Sequence, residues 1–234
     1  MINSKGFHMK ISDSSNFTVT NITVTAPGDS PNTDGIHISG SDLVSVSKSV
    51  IGTGDDCISI GDGTTNLAVS EITCGPGHGI SIGSLGQREN EDSVRGVTVT
   101  NCTLSNTTNG ARIKTWHDSP AIEASGIVFE DIVMNGVKNP IIIDQHYGAK
   151  NKPGASNVKV SDVHYKNIRG TTITNTVVAL NCSDAVPCEG IEVMDVDFTL
   201  DAAVAATAKY PTLSNACTNA KAVFTGKQNP PPCL

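Results

Sequence analysis

Apolar residues recur at i, i+2, i+5 and i+7 in seven segments of the chain. The segments read Phe17/Val19/Ile22/Val24, Val44/Val46/Ser49/Ile51, Leu67/Val69/Ile72/Cys74 and Val97/Val99/Cys102/Leu104. They continue as Ile127/Phe129/Ile132/Met134, Val158/Val160/Val163/Tyr165 and Ile191/Val193/Val196/Phe198. In each, two period-2 runs flank a polar break such as Asn21, Asp131, Asp162 or Asp195, which predicts two short strands with a bend between them. Further strand-like runs follow, among them 35–38, 57–60, 79–82 and 140–143.

Unit starts at 17, 44, 67, 97, 127, 158 and 191 put the step at 23 to 33 residues. Three or four short strands per step, with no helical stretch between them, predict an all-β fold, the right-handed parallel β-helix. The Leu/Asn signature of a leucine-rich horseshoe and the Trp-Asp mark of a propeller are both missing. An unrelated sandwich of short strands has no reason to hold the phase over seven units. Residues 1–234 read as a single β-helix domain, with 201–234 as a C-terminal tail or cap. The first unit opens with no polar cap, which a solenoid end requires. The chain is therefore expected to be the C-terminal part of a longer domain, lacking N-terminal coils and cap.

The remaining composition narrows the classes. Aromatics make up 4% of the chain, which suits a core of stacked Val and Ile. No run of 18 apolar residues exists, so no membrane span is expected. A net charge of −7 argues against nucleic acid as a partner. It also means that any acidic ligand must be met by local positive charge.

Seven cysteines point to an oxidising compartment. Cys57/Cys74, Cys182/Cys188 and Cys217/Cys233 are placed to act as staples. Cys102 is left over at an inward position shared with Ile22, Ile72 and Ile132, where a buried free thiol is expected. Without a Cys-x-x-Cys or Cys/His quartet, zinc is not expected. Sequons at Asn16, Asn21, Asn101, Asn106 and Asn181 fit secretion and glycosylation, although the first residues form no signal peptide.

Four polar clusters sit at one phase of the repeat, between an apolar segment and the next strand: Asn32-Thr33-Asp34, Gly54-Asp55-Asp56, Gly77-His78-Gly79 and Arg112-Ile113-Lys114. Stacked at the inter-strand spacing of about 4.8 Å, with Asp34, Asp55 and His78 on successive coils, they form one ladder on an exposed face. Three neighbouring carboxylates cannot all ionise comfortably, so at least one should keep its proton. A neutral acid beside an ionised partner suits glycoside hydrolysis, and about 6.5–9.5 Å between acid and base gives inversion. Taken singly, Gly-Asp-Asp and Asn-Thr-Asp are ordinary turn formers. His78, between two glycines, can tune the proton on Asp55. Arg112 and Lys114 alternate by two, so both point outward toward a sugar carboxylate. His37 faces outward on its strand, beside the groove. His8, His117, His146 and His164 have no comparable context.

In this order the four clusters resemble the signature motifs of the polygalacturonases, a family of inverting pectin glycoside hydrolases. The longer strings at 26–37 and 74–84 are similar to those of pollen-type plant exopolygalacturonases. The resemblance implies a right-handed β-helix and hydrolysis of 1,4-α-D-galacturonosyl linkages, exo-acting in preference to endo-acting. It implies that Asp55 is the general acid, that Asp34 and Asp56 hold and deprotonate water, and that His78 supports the acid's proton. It further implies that Arg112, Lys114 and Tyr147 bind substrate, and it favours the disulfides Cys57–Cys74, Cys182–Cys188 and Cys217–Cys233. No cofactor or metal is implied. The substrate, pectin or polygalacturonate, is the only partner, and the expected protein is a secreted cell-wall monomer. Position 148 is Gly where many plant members carry Cys. Two alternatives keep the β-helix: a calcium-dependent pectate lyase, and a catalytically impaired, pectin-binding fragment.

Overall fold

The computed structural model describes residues 1–148, 154–209 and 212–233. One sheet stacks, in parallel, the strands Met9–Ser12, Ile36–Ser39, Ile58–Ile60, Ile80–Leu85, Asn109–Trp116, Asn139–Tyr147, Thr176–Asn181 and Ser214–Thr218. The second stacks Ser15–Thr20, Asp42–Gly52, Thr65–Cys74, Val94–Ser105, Glu123–Val137, Lys159–Thr172, Cys188–Leu200 and Ala220–Asn229, with Thr23–Thr25 beside Asp42–Gly52. The chain alternates between the two sheets, winding as a right-handed parallel β-helix.

Each coil adds one rung to an apolar column. In the first sheet Ile36, Ile58, Ile80, Ala111, Ile141 and Val178 share a rung position, and all are buried. In the second the column runs Val44, Leu67, Val97, Ile127, Val163 and Ile191. Small and branched side chains suit this column because identical neighbours interdigitate at every rung. Phe17 tops the second column and is 46% exposed.

From the second unit on, the polar breaks are bends inside long strands; at Asn21 the break separates Ser15–Thr20 from Thr23–Thr25. Asn21, Lys48, Glu71, Asn101, Asp131 and Asp195 all have φ between 51° and 55°. Asn and Asp tolerate this left-handed conformation because a short polar side chain bonds locally.

The sixth repeat unit is displaced from its expected frame. Ile127, Phe129 and Ile132 pair with Val163, Tyr165 and Ile168, so the in-phase unit begins at Val163 instead of Val158. The i, i+2, i+5, i+7 pattern overlaps itself after a shift of five. Each second-sheet strand from Asp42–Gly52 to Cys188–Leu200 has two left-handed residues five apart, Asp162 and Asn167 here, Gly126 and Asp131 in the strand before. Gly170 fills the fourth position next to Met134, where an added Cβ would meet the Met134 carbonyl oxygen at 1.8 Å. Sequence spacing therefore favours the wrong frame.

Residues 214–229 continue both sheets as a last coil. Within 201–234 the short helix Ala202–Ala205 and the described residues 206–209, 212–213 and 230–233 lie outside the two sheets, while Tyr210, Pro211 and Leu234 lie outside the described residues. Among the described residues, no helix is long and apolar enough to cross a membrane. Disulfides join Cys57 to Cys74, Cys182 to Cys188 and Cys217 to Cys233. Cys102 is a buried free thiol in register with Ile132, and burial pushes it up to about 11.

Candidate active site

Three of the clusters lie at the end of the first sheet where a strand begins, and Arg112-Ile113-Lys114 lies inside the strand Asn109–Trp116. Extending the pairing of Ile36, Ile58 and Ile80 back by two residues aligns Asp34, Asp56 and His78. The main chain agrees: the Gly35 amide donates to the Asp56 carbonyl, and the Cys57 amide to the Gly79 carbonyl. Asp56 is therefore the rung-mate of Asp34, while His78 bonds Asp55 through both its amide and its ring. Asp55 stands one residue earlier, where the strand turns. The spacing of Asp34, Asp55 and His78 had suggested otherwise because a coil can vary by one residue without disturbing the apolar columns.

The motif residues lace neighbouring coils together. The Thr33 hydroxyl accepts from the Gly54 amide at 3.1 Å, and the Asn32 amide donates to Asp55 Oδ2 at 3.2 Å. Gly54 has to be glycine, since a Cβ there would lie 2.2 Å from the Ser30 carbonyl oxygen. Gly79, at φ 83°, packs against the next coil, where a Cβ would meet the Asn109 carbonyl oxygen at 2.0 Å. That close approach lets the His78 amide donate to the Asp55 carbonyl at 2.8 Å, and it sets His78 Nδ1 3.1 Å from Asp55 Oδ1.

Each acid has its own surroundings. Asp34 is 6% exposed. Burial drives its carboxyl up, a hydrogen bond from Ser59 works the other way, and the negative charges of Asp56 and Asp55 push it further, to about 6. Burial would also raise Asp55. Hydrogen bonds from His78 and the Asp56 amide, with the positive charges of His78 and Lys114, outweigh it and hold Asp55 at about 2. Asp56 is 1% exposed and doubly paired. Arg112 Nη2 lies 2.6 Å from its Oδ1 and Lys114 Nζ 2.9 Å from its Oδ2, while the Ser81 hydroxyl donates to Oδ1 and accepts from Arg112 Nε.

Arg112 and Lys114 flank the core residue Ile113 on their strand. Their side chains are 12% and 9% exposed, and both are committed to Asp56. Lys114 also sits over the Tyr147 ring, 5.3 Å from its centre. The cavity above the sheet holds about 420 Å³; Asp34, Asp55, Asp56, Lys114 and Tyr147 line it, while Arg112, paired with Asp56, is not in its lining. With Asp34 neutral, Asp55 and Asp56 are balanced by Arg112 and Lys114. The cluster then carries no net charge, so an anionic ligand is not repelled from it.

Several lining residues carry no sequence motif. His37 stacks on Phe7 at 4.7 Å and meets Ser59 Oγ at 2.9 Å. Burial, then the charge of Lys10, lowers it below the usual histidine value. Asp62, Gln87, Arg88 and Glu91 line the wall opposite the acids. Only their position after strand ends in the repeat could have pointed to them. Asp55, Asp56 and His78 each offer one potential ligand atom within 4.8 Å of the others. Because both Asp56 oxygens are paired with cationic groups, these residues do not fit a metal ion well.

Three carboxyls converge in one groove along a parallel β-helix, one with a raised and one with a depressed pKa. The chain belongs to the glycosyl hydrolases family 28, whose family model matches residues 1–222. It is 48% identical to an exopolygalacturonase of Arabidopsis thaliana, over 99% of this chain and 55% of that protein. It is 43% identical to an exopolygalacturonase of Platanus acerifolia, over 98% of this chain and 60% of that one. Among solved structures, the polygalacturonase of Erwinia carotovora superposes with a TM-score of 0.69 at 31% identity, covering 95% of this chain and 55% of that one. Endopolygalacturonase I of Stereum purpureum, complexed with two galacturonates, superposes with a TM-score of 0.79 at 25% identity, covering 97% and 66%. The chain spans about half the length of the first of these plant relatives.

Proposed function

We propose that this chain forms the catalytic face of a polygalacturonase that hydrolyses 1,4-α-D-galacturonosyl linkages of pectin and polygalacturonate with inversion, from the chain end. The observation that carries this is the geometry of one groove: Asp34, Asp55 and Asp56 line it together with Lys114 and Tyr147, and His78 Nδ1 lies 3.1 Å from Asp55 Oδ1. Relatives named exopolygalacturonase support the exo mode, and the galacturonates bound in the Stereum purpureum structure support the substrate class.

Asp55 acts as the acid on the glycosidic oxygen, with His78 supporting its proton across the 3.1 Å contact. In the unliganded groove Asp55 is held ionised, so it takes this role once a ligand excludes water and adds negative charge, both of which raise its pKa. Asp34, near 6, is poised as the base for water. Asp56 is less suited to that role. An oxygen of Asp56 lies within 4.8 Å of one of Asp55, below the ~6.5–9.5 Å that leaves room for water, and both its oxygens are paired. It anchors Lys114 and Arg112, and Lys114, over Tyr147, meets the sugar carboxylate. Secretion to the cell wall and glycosylation belong to the same reading, supported by the disulfides and the five exposed sequon asparagines.

The decisive experiment is Asp55→Asn. Reducing-sugar release from polygalacturonate should fall by about three orders of magnitude or more, the scale of lost acid–base catalysis, with circular dichroism unchanged. Full activity in that variant would sink the assignment. Galacturonate monomer as sole product marks exo action, and mixed oligomers mark endo action. Products absorbing in the ultraviolet, formed only with calcium, would indicate the lyase alternative; binding without turnover would indicate the impaired fragment.

A further inference from the structure

We infer that Arg88 forms a second carboxylate-recognition site on the wall opposite the acids, taking a galacturonate residue next to the one held by Lys114; this rests on the proposed substrate class. The acids stand before the strands, whereas Asp62 and Arg88 stand after them, at the ends of Ile58–Ile60 and Ile80–Leu85. Both walls face one cavity. A polyuronate lying between them carries a carboxylate on every sugar, and successive residues turn these to different sides of the chain. Lys114 can meet one of them, and the next needs its own cation.

Arg88 is built for that task. Glu91, 7% exposed, accepts hydrogen bonds from the amides of Gly86, Gln87 and Arg88, which pins the loop and spreads its charge over the backbone. The guanidinium is held by Asp62 at 3.0 Å through Nη2 and by Glu91 at 3.4 Å through Nε. Nη1 makes no hydrogen bond to the described residues, and the side chain is 69% exposed. A planar donor, oriented by two carboxylates and open on its remaining edge, is pre-organised for a carboxylate. Asp62 acts as a positioning residue.

The test measures binding of trigalacturonate and its methyl ester by titration calorimetry, alongside hydrolysis. Arg88→Ala should weaken trigalacturonate about tenfold, the worth of one charge-assisted contact, and leave the ester within about twofold. Arg88→Lys should recover part of the loss. The double variant Arg88→Ala/Asp62→Asn should stay weak, which separates a lost contact from repulsion by the unpaired Asp62. Equal weakening of acid and ester, no weakening, or full recovery in the double variant would each overturn the inference. Hydrolysis that is absent while Arg88-dependent binding persists would sink the hydrolase reading alone. If the unaltered protein binds no trigalacturonate, both fall.

Discussion

Asp34 sits in a place that favours its neutral form, and this has a measurable consequence for stability. Its folded value of about 6 lies above the ordinary one of 3.8, so the native state binds more protons than the unfolded chain between these values. The stabilisation is present below about pH 4 and is lost as pH rises through 6. Asp55 has the opposite sign: at about 2 it contributes stability above pH 4, which is lost as pH falls toward 2. Asp34→Asn should therefore raise stability by about 1–3 kcal/mol at pH 7.5 and hardly at all at pH 4. Urea denaturation at the two pH values would show this, and an equal gain at both would refute it. Activity in the same variant should collapse. For the unaltered protein the acidic limb of kcat/KM should lie near pH 6, as expected if ionised Asp34 receives the proton from water; a limb unaffected by Asp34→Glu would argue against that role. Both cations were legible in the sequence as neighbours of the acids. Their commitment to Asp56 was not, because a strand's alternation tells which face a side chain takes and not which partner it meets there.

At the scale of a strand, one left-handed residue per bend turns a straight ribbon into a coil. Asn and Asp serve most bends, but Lys48 and Glu71 occupy two of them at φ 51° and 54°. Both side chains are exposed, and neither has a short polar group to support the conformation. Lys48→Asn and Glu71→Asn should each stabilise the fold by about 0.5–1 kcal/mol, read as a higher denaturation midpoint. A loss would show that these side chains contribute something the bend geometry does not reveal. Four sequon asparagines, Asn16, Asn21, Asn101 and Asn106, are also at positive φ. The bend selects asparagine at those places whether or not a glycan is attached, so the sequons are weaker evidence of glycosylation than their number suggests. The same bends explain the misread sixth unit. Every second-sheet strand from Asp42–Gly52 to Cys188–Leu200 has a pair of left-handed residues five apart, so the repeat can be read in either of two frames, and here only the pairing of Ile127 with Val163 decides.

Across the molecule, contacts run from each coil to the next, so the site depends on neighbouring coils staying in register. Cys57–Cys74 ties two of these coils directly beside Asp55 and Asp56, closing a separation of 17 residues. Replacing both cysteines by alanine should cost about 2–4 kcal/mol, visible as a lower thermal midpoint, and should reduce activity more than the same change at Cys217 and Cys233, which lies in the last coil. Equal effects on activity would mean that the bridge does not hold the acids in place.

By itself the sequence determined the solenoid, its parallel strands, the phase of the four clusters and the inward place of Cys102. Each of these follows from local alternation and from a repeat that buries one face of every strand. Only the tertiary structure decided that Asp56 shares a rung with Asp34, that Arg112 pairs with Asp56 outside the cavity lining, and that Arg88 and Glu91 form its far wall. Those facts depend on register between coils of unequal length and on how deeply each carboxyl is buried. The proton on Asp34 follows from the same cause, since burial and two neighbouring negative charges exist only once the coils have stacked.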